Sequence, residues 1–180
     1  MSEPLVDPLF DPAAIVGWAI DVGIFDLMYS AWGWTIAEIL HFTGLCLLIG
    51  AVGSFDLRMI GWVGGLRLSA LHRLVPFGVL GFALSAASGF MFVVTSPDQY
   101  LYNPAFQTKM VLLAIAGANM ALFYLVAARS LRGLADDDPP PRAARFFAGI
   151  SLAAWFGVIA CGRVITAFRP PAWEWCAWCG

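Results

Sequence analysis

Residues Ala31–Phe55 read AWGWTIAEILHFTGLCLLIGAVGSF, an apolar run with two ionisable residues, Glu38 and His41, set inside it. A spanning helix needs roughly 20 mostly apolar residues to cover a hydrocarbon core about 30 Å thick, and this run is long enough. Ionisable groups at membrane depth are costly, so they mark positions that face a protein interior and act there. Three residues is close to one helical turn, which puts both side chains on the same face.

Three further stretches have the same character: Leu74–Thr95, Met110–Ala128 and Phe146–Ala167. Of the 180 residues 61% are hydrophobic and only 12% are charged, about half the charged share of a soluble domain. The expected fold is therefore all-α, a polytopic membrane four-helix bundle spanning residues 31–168. Residues 1–30 are expected to form an outer arm and an interfacial amphipathic helix, and residues 169–180 a Trp/Cys tail. Pro12 can open the interfacial helix over Ala13–Tyr29, where Asp21 and Asp26 argue against a fifth crossing. The acidic N-terminus, with Glu3, Asp7 and Asp11, lacks the basic flank of a signal peptide.

The arginines orient the bundle. Arg58, Arg67 and Arg73 follow the first span, and Arg129, Arg132, Arg142 and Arg145 follow the third. Basic residues collect on the cytoplasmic side, so both termini are expected outside. In a bacterial inner membrane that side is the periplasm. Cys176 and Cys179 end the chain there, and on an oxidising face a Cys-x-x-Cys reads as a local disulfide or a pair of free thiols. Cys46 and Cys161 lie inside spans and read as small apolar packing groups.

In the second span Gly78, Gly81, Ser85, Ser88 and Gly89 recur at spacings of three and four. Small residues in that pattern let membrane helices approach closely, and the sharper reading is room for a flat cofactor. Asn119 in the third span is expected to hydrogen-bond between helices.

Depth follows from a rise of ~1.5 Å per residue. His41 falls ~12 Å below the outer surface, Glu38, Met91 and Arg163 at ~8 Å, Cys161 at ~11 Å and Lys109 at ~3 Å. His72 falls near the inner surface, roughly 15–20 Å from His41 in depth. Two axial nitrogens on one iron are only about 4 Å apart, so His41 and His72 cannot share a haem within one chain. Three readings of the outer layer stay open. Glu38 pairs with Arg163 and the cluster only locks the bundle. Alternatively His41 ligates a b-type haem, with Met91 or a partner subunit opposite and Arg163 or Lys109 at the propionates. Or Glu38 and His41 form half of a metal or proton site, although a di-metal bundle would need a second such motif and two more glutamates.

The motifs His41-Phe42-Thr43-Gly44, Asp56-Leu57-Arg58, Leu74-Val75-Pro76, Ser88-Gly89, Asn103-Pro104-Ala105-Phe106 and Gly117-Ala118-Asn119, with Gly50 and Lys109, carry a family resemblance. Over roughly Thr35–Phe168 the chain resembles uncharacterised bacterial four-helix inner-membrane proteins. More remotely it is similar to copper-resistance membrane proteins of the CopD type and to b-type membrane cytochromes. The resemblance implies haem or copper handling near the periplasmic face, with His41 as a ligand and Lys109 and Arg163 meeting anionic groups. Paired histidines at matched depth, the mark of bis-histidine cytochromes, are missing.

No hydrolytic motif and no phosphate-binding glycine loop is present, and composition excludes nucleic-acid binding. The expected function is an integral membrane subunit, a redox or anchor subunit more than a free-standing enzyme, that carries haem b and passes electrons to a periplasmic partner. The alternatives are a non-catalytic anchor or assembly subunit, and a permease for a metal ion or small solute. The expected partners are the bilayer, other membrane or periplasmic subunits and a second copy of the chain.

Overall fold

The computed structural model describes residues 11–64, 66–127 and 138–168, and among them the fold is all-α, without strands. Cys176 and Cys179, the N-terminal arm and most of the third linker lie outside the described residues. Four helical runs are long and apolar enough to cross a membrane: Gly33–Ile60, Ala70–Thr95, Pro104–Ala127 and Arg142–Phe168.

Two short helices come first, α1 (Pro12–Asp21) and α2 (Ile24–Met28). Asp11 caps α1 by accepting from the Ala13 N–H at 2.9 Å, and Pro12 supplies the preset first turn. The single helix expected over Ala13–Tyr29 is instead broken at Gly23, whose φ of 76° no helix accommodates. The break folds α2 back over the bundle, where Met28 is buried with Ala37 and Phe92.

The first long helix, α3 (Gly33–Ile60), runs past the expected end at Phe55 and carries Asp56 and Arg58 inside it. Its stop is a Schellman motif: Gly61 takes φ 95°, the Trp62 N–H reaches the Leu57 carbonyl at 3.1 Å, and the Gly61 N–H reaches that of Arg58 at 3.1 Å. A short α4 (Leu68–His72) leads into α5 (Val75–Thr95), with Pro76 in the opening turn. After the one-turn α6 (Pro97–Tyr100), α7 (Pro104–Leu122) begins at Asn103. That residue is 1% exposed; its Oδ1 accepts from the Ala105 and Phe106 N–H groups, and its Nδ2 donates to the Ile165 carbonyl at 3.0 Å. A π-helical turn, Phe123–Ala127, extends α7. The last helix is α8 (Arg142–Val164), ending in a 3₁₀ turn over Ile165–Phe168.

Around the bundle the order is α5, α3, α8, α7. The small-residue stripe of α5 is used for packing, at the α3 seam. A Cβ on Gly81 would fall 2.5 Å from the Gly44 carbonyl oxygen, and one on Gly44 would fall 2.6 Å from Ser85 Oγ. Across α7 and α8, Asn119 Nδ2 donates to the Phe147 carbonyl at 3.0 Å, the interhelical bond expected of it. Across α3 and α8, Asp56 accepts from Ser151. The fourth seam is different. Although consecutive long helices, α5 and α7 barely touch.

One end of the bundle is capped by α1, α2 and α6; the other carries Arg58, Arg67, Arg73, Arg142 and Arg145. At the capped end α1 lies against α5, and Trp18 meets Phe90 edge-on with ring centroids 6.0 Å apart. Packing at the arginine end is aromatic, with Phe123 set edge-on to both Phe55 and Phe147.

Candidate functional site

His41 lies in the third turn of α3, turned toward α5. Its Nδ1 is 3.0 Å from Ser88 Oγ. The Ser88 hydroxyl has one proton, and its closest acceptor is the Leu84 carbonyl at 2.6 Å, the i−4 bond a helical serine favours. Ser88 therefore accepts from His41, which assigns the proton to Nδ1 and leaves Nε2 as a lone pair. Ser85 donates to the His41 carbonyl at 3.2 Å, and Phe92 meets the imidazole edge-on at 5.8 Å. Gly89 leaves room for the ring: a Cβ there would sit 3.4 Å from His41 Cε1. Thus Gly81, Ser85, Ser88 and Gly89 do two things, drawing α5 against α3 and fixing the tautomer of one histidine.

His41 borders a cavity of about 280 Å³ between all four long helices. From α7 come Phe106, Lys109, Met110 and Leu113; from α8, Trp155 and Val158. Phe82, Ala86 and Phe90 of α5 form the lip of the open α5–α7 seam. The walls are apolar and aromatic, with two basic side chains among them, His41 and Lys109. Lys109 Nζ lies beside Gly162 and makes no hydrogen bond or ion pair among the described residues.

The other residues read from the sequence are distributed around this cavity, not gathered in it. Glu38 is exposed and accepts from the Trp34 indole N–H at 3.0 Å. Arg163 is also exposed, on α8, and the ion pair expected between them does not form. The reason is azimuth. A step of three residues turns a helix by about 300°, so Glu38 is offset by about 60° from His41, toward the outer surface of α3. Met91 packs against the buried Met28, Ala37 and Phe92 under α2 and is not in the cavity lining, whereas Met110 borders it. Cys161 is half-buried along a groove between α7 and α8 with Thr108 and Val164, and Cys46 is exposed rather than packed. His72 is exposed on α4; Ser88, the partner of His41, follows it by sixteen residues, or ~24 Å of helix.

Ser88, Met110 and Trp155 belong to the site and were not singled out as site residues from the sequence. Ser88 carried a signal, as a hydroxyl in a stripe of glycines. Among the described residues no three His, Cys, Asp or Glu side chains come together as a metal cluster. No family model, curated protein or solved structure matches the chain.

Proposed function

We propose that this protein is a multi-pass membrane subunit of a redox system, with the His41 cavity as the seat of its electron carrier. The observation that carries the reading is His41 in the wall of a cavity that Lys109 also lines, its Nδ1 held by Ser88 so that Nε2 keeps its lone pair. A metal-ligating imidazole is held in this way, its other ring N–H bonded to an acceptor so that the free nitrogen is oriented and more basic.

Haem b is the carrier that this orientation favours. His41 would hold it through Nε2, the Lys109 ammonium suits a propionate, and Met110 is the thioether nearest to hand. A volume of about 280 Å³ falls just under the usual range of roughly 300–1,000 Å³ for ligand pockets, so a macrocycle would have to extend into the unfilled α5–α7 seam. The arginine-rich end faces the cytoplasm of a bacterial cell in this reading, the capped end faces the periplasm, and a redox partner docks near α1 and α2.

A reduced-minus-oxidised spectrum of the purified protein tests the haem assignment. A b-type Soret and α band is expected, lost in His41→Ala and kept in His72→Ala. Absence of the bands removes haem, and a protein that also carries no other redox ligand is an anchor or assembly subunit.

A further inference from the structure

A four-helix bundle has four seams, and here three are packed while α5–α7 is not. Phe82 and Phe90, each about half exposed, stand along it on α5, with Met110 opposite on α7. In a bilayer that seam faces acyl chains. Behind it lie His41 and Lys109, so a molecule dissolved in the membrane reaches both polar groups without crossing water. The upper edge is closed by α1, through Trp18 on Phe90.

The two polar groups restrict what fits. With the proton on Nδ1, His41 Nε2 accepts a hydrogen bond and cannot donate one. Lys109 only donates. The occupant must therefore carry a hydroxyl donor for one and an oxygen acceptor for the other. An ionised fatty acid satisfies Lys109 but offers His41 nothing, because a carboxylate is acceptor-only. A hydroquinone ring has a hydroxyl at each end and a flat apolar body that suits walls made of Phe82, Phe90, Phe106 and Trp155. Its size matches a cavity that is small for a porphyrin.

We propose that the His41 cavity is entered from the lipid phase between α5 and α7 and takes the ring of a lipid-soluble hydroquinone. One hydroxyl donates to His41 Nε2, the oxygen across the ring accepts from Lys109 Nζ, and the isoprenoid tail lies in the seam. This rests on the redox reading of the cavity and names a different occupant from haem.

The test is binding of a decyl-substituted benzohydroquinone to the full chain in lipid nanodiscs, read by tryptophan quenching and by calorimetry, with haem content measured on the same sample. Saturable binding at one site per chain is expected. His41→Phe and Lys109→Met should each weaken it about tenfold, the worth of one hydrogen bond with a strong partner. Ala86→Trp, which fills the lip without touching the α3 seam, should slow or abolish binding while the melting temperature holds. Equal affinity in all three variants overturns the proposal. So does one haem per chain with no hydroquinone binding, which leaves the redox reading standing. Neither haem nor hydroquinone bound overturns both.

Discussion

Gly81 is the position where one added methyl group should do most damage. A Cβ there would lie 2.5 Å from the Gly44 carbonyl oxygen, 2.6 Å from the Leu48 nitrogen and 2.9 Å from Leu47 Cβ. Close carbon–oxygen contacts between helices run about 3.3–3.6 Å, so α3 and α5 must separate by roughly 0.8 Å or more in Gly81→Ala. Two of the three obstructing atoms are backbone, and no rotamer change relieves them. A gap of that size forfeits about a quarter to a half of each dispersion contact along the seam. Overpacking of this kind typically costs about 1–3 kcal/mol, and the rigid backbone on both sides places Gly81→Ala at the upper end. Gly117→Ala is the control, because a Cβ there meets nothing within 4 Å. It should leave stability unchanged or raise it by up to about 1 kcal/mol, the helix-propensity gain of alanine over glycine. Thermal unfolding in one detergent compares the two, and a loss of about 3 kcal/mol corresponds to a melting temperature lower by roughly 6–12 °C. If Gly81→Ala melts with the wild type and with Gly117→Ala, the α3–α5 seam is not packed as described.

Other predictions concern single polar groups. Ser88→Ala releases His41 Nδ1, and bound carrier should fall while the fold survives, as measured by carrier content against circular dichroism. Asp56 is 4% exposed with Oδ2 unpartnered, so Ser151→Ala, which also removes its one hydroxyl donor, should destabilise by about 1–3 kcal/mol in denaturant unfolding. Asn103→Ala removes the cap of α7 and the link to Ile165, a loss of about 2–3 kcal/mol read in the same assay. A reporter fused after Gly180 should be active in the periplasm and silent in the cytoplasm; the reverse result inverts the proposed topology.

The four long apolar helices are legible in the sequence because a helix that can cross a membrane satisfies its own backbone and is apolar over its whole length. Their ends are less so. Asp56 and Arg58 look like the end of a span, but burial against α8 and the Leu66 carbonyl lets α3 continue to the Gly61 cap. Rotation about each helix axis is the least legible quantity, since a helix apolar on all sides carries no phase. Depth alone therefore puts Met91 in one layer with His41, while the packing of α5 turns it under α2 and leaves the cavity wall to Met110. Glu38 and Arg163 were matched in depth and separated in azimuth for the same reason. His41 and Lys109 could be found because an ionisable side chain in an apolar run stands out whichever way the helix is turned.

The central claim is that His41 holds a redox carrier inside the bundle. Its most direct test is the haem and quinone content of the protein purified in native lipid, wild type against His41→Ala. One carrier per wild-type chain, with haem absent from His41→Ala or quinone content lowered in it, is the result expected. Equal content in the two proteins, or no carrier in either, contradicts it.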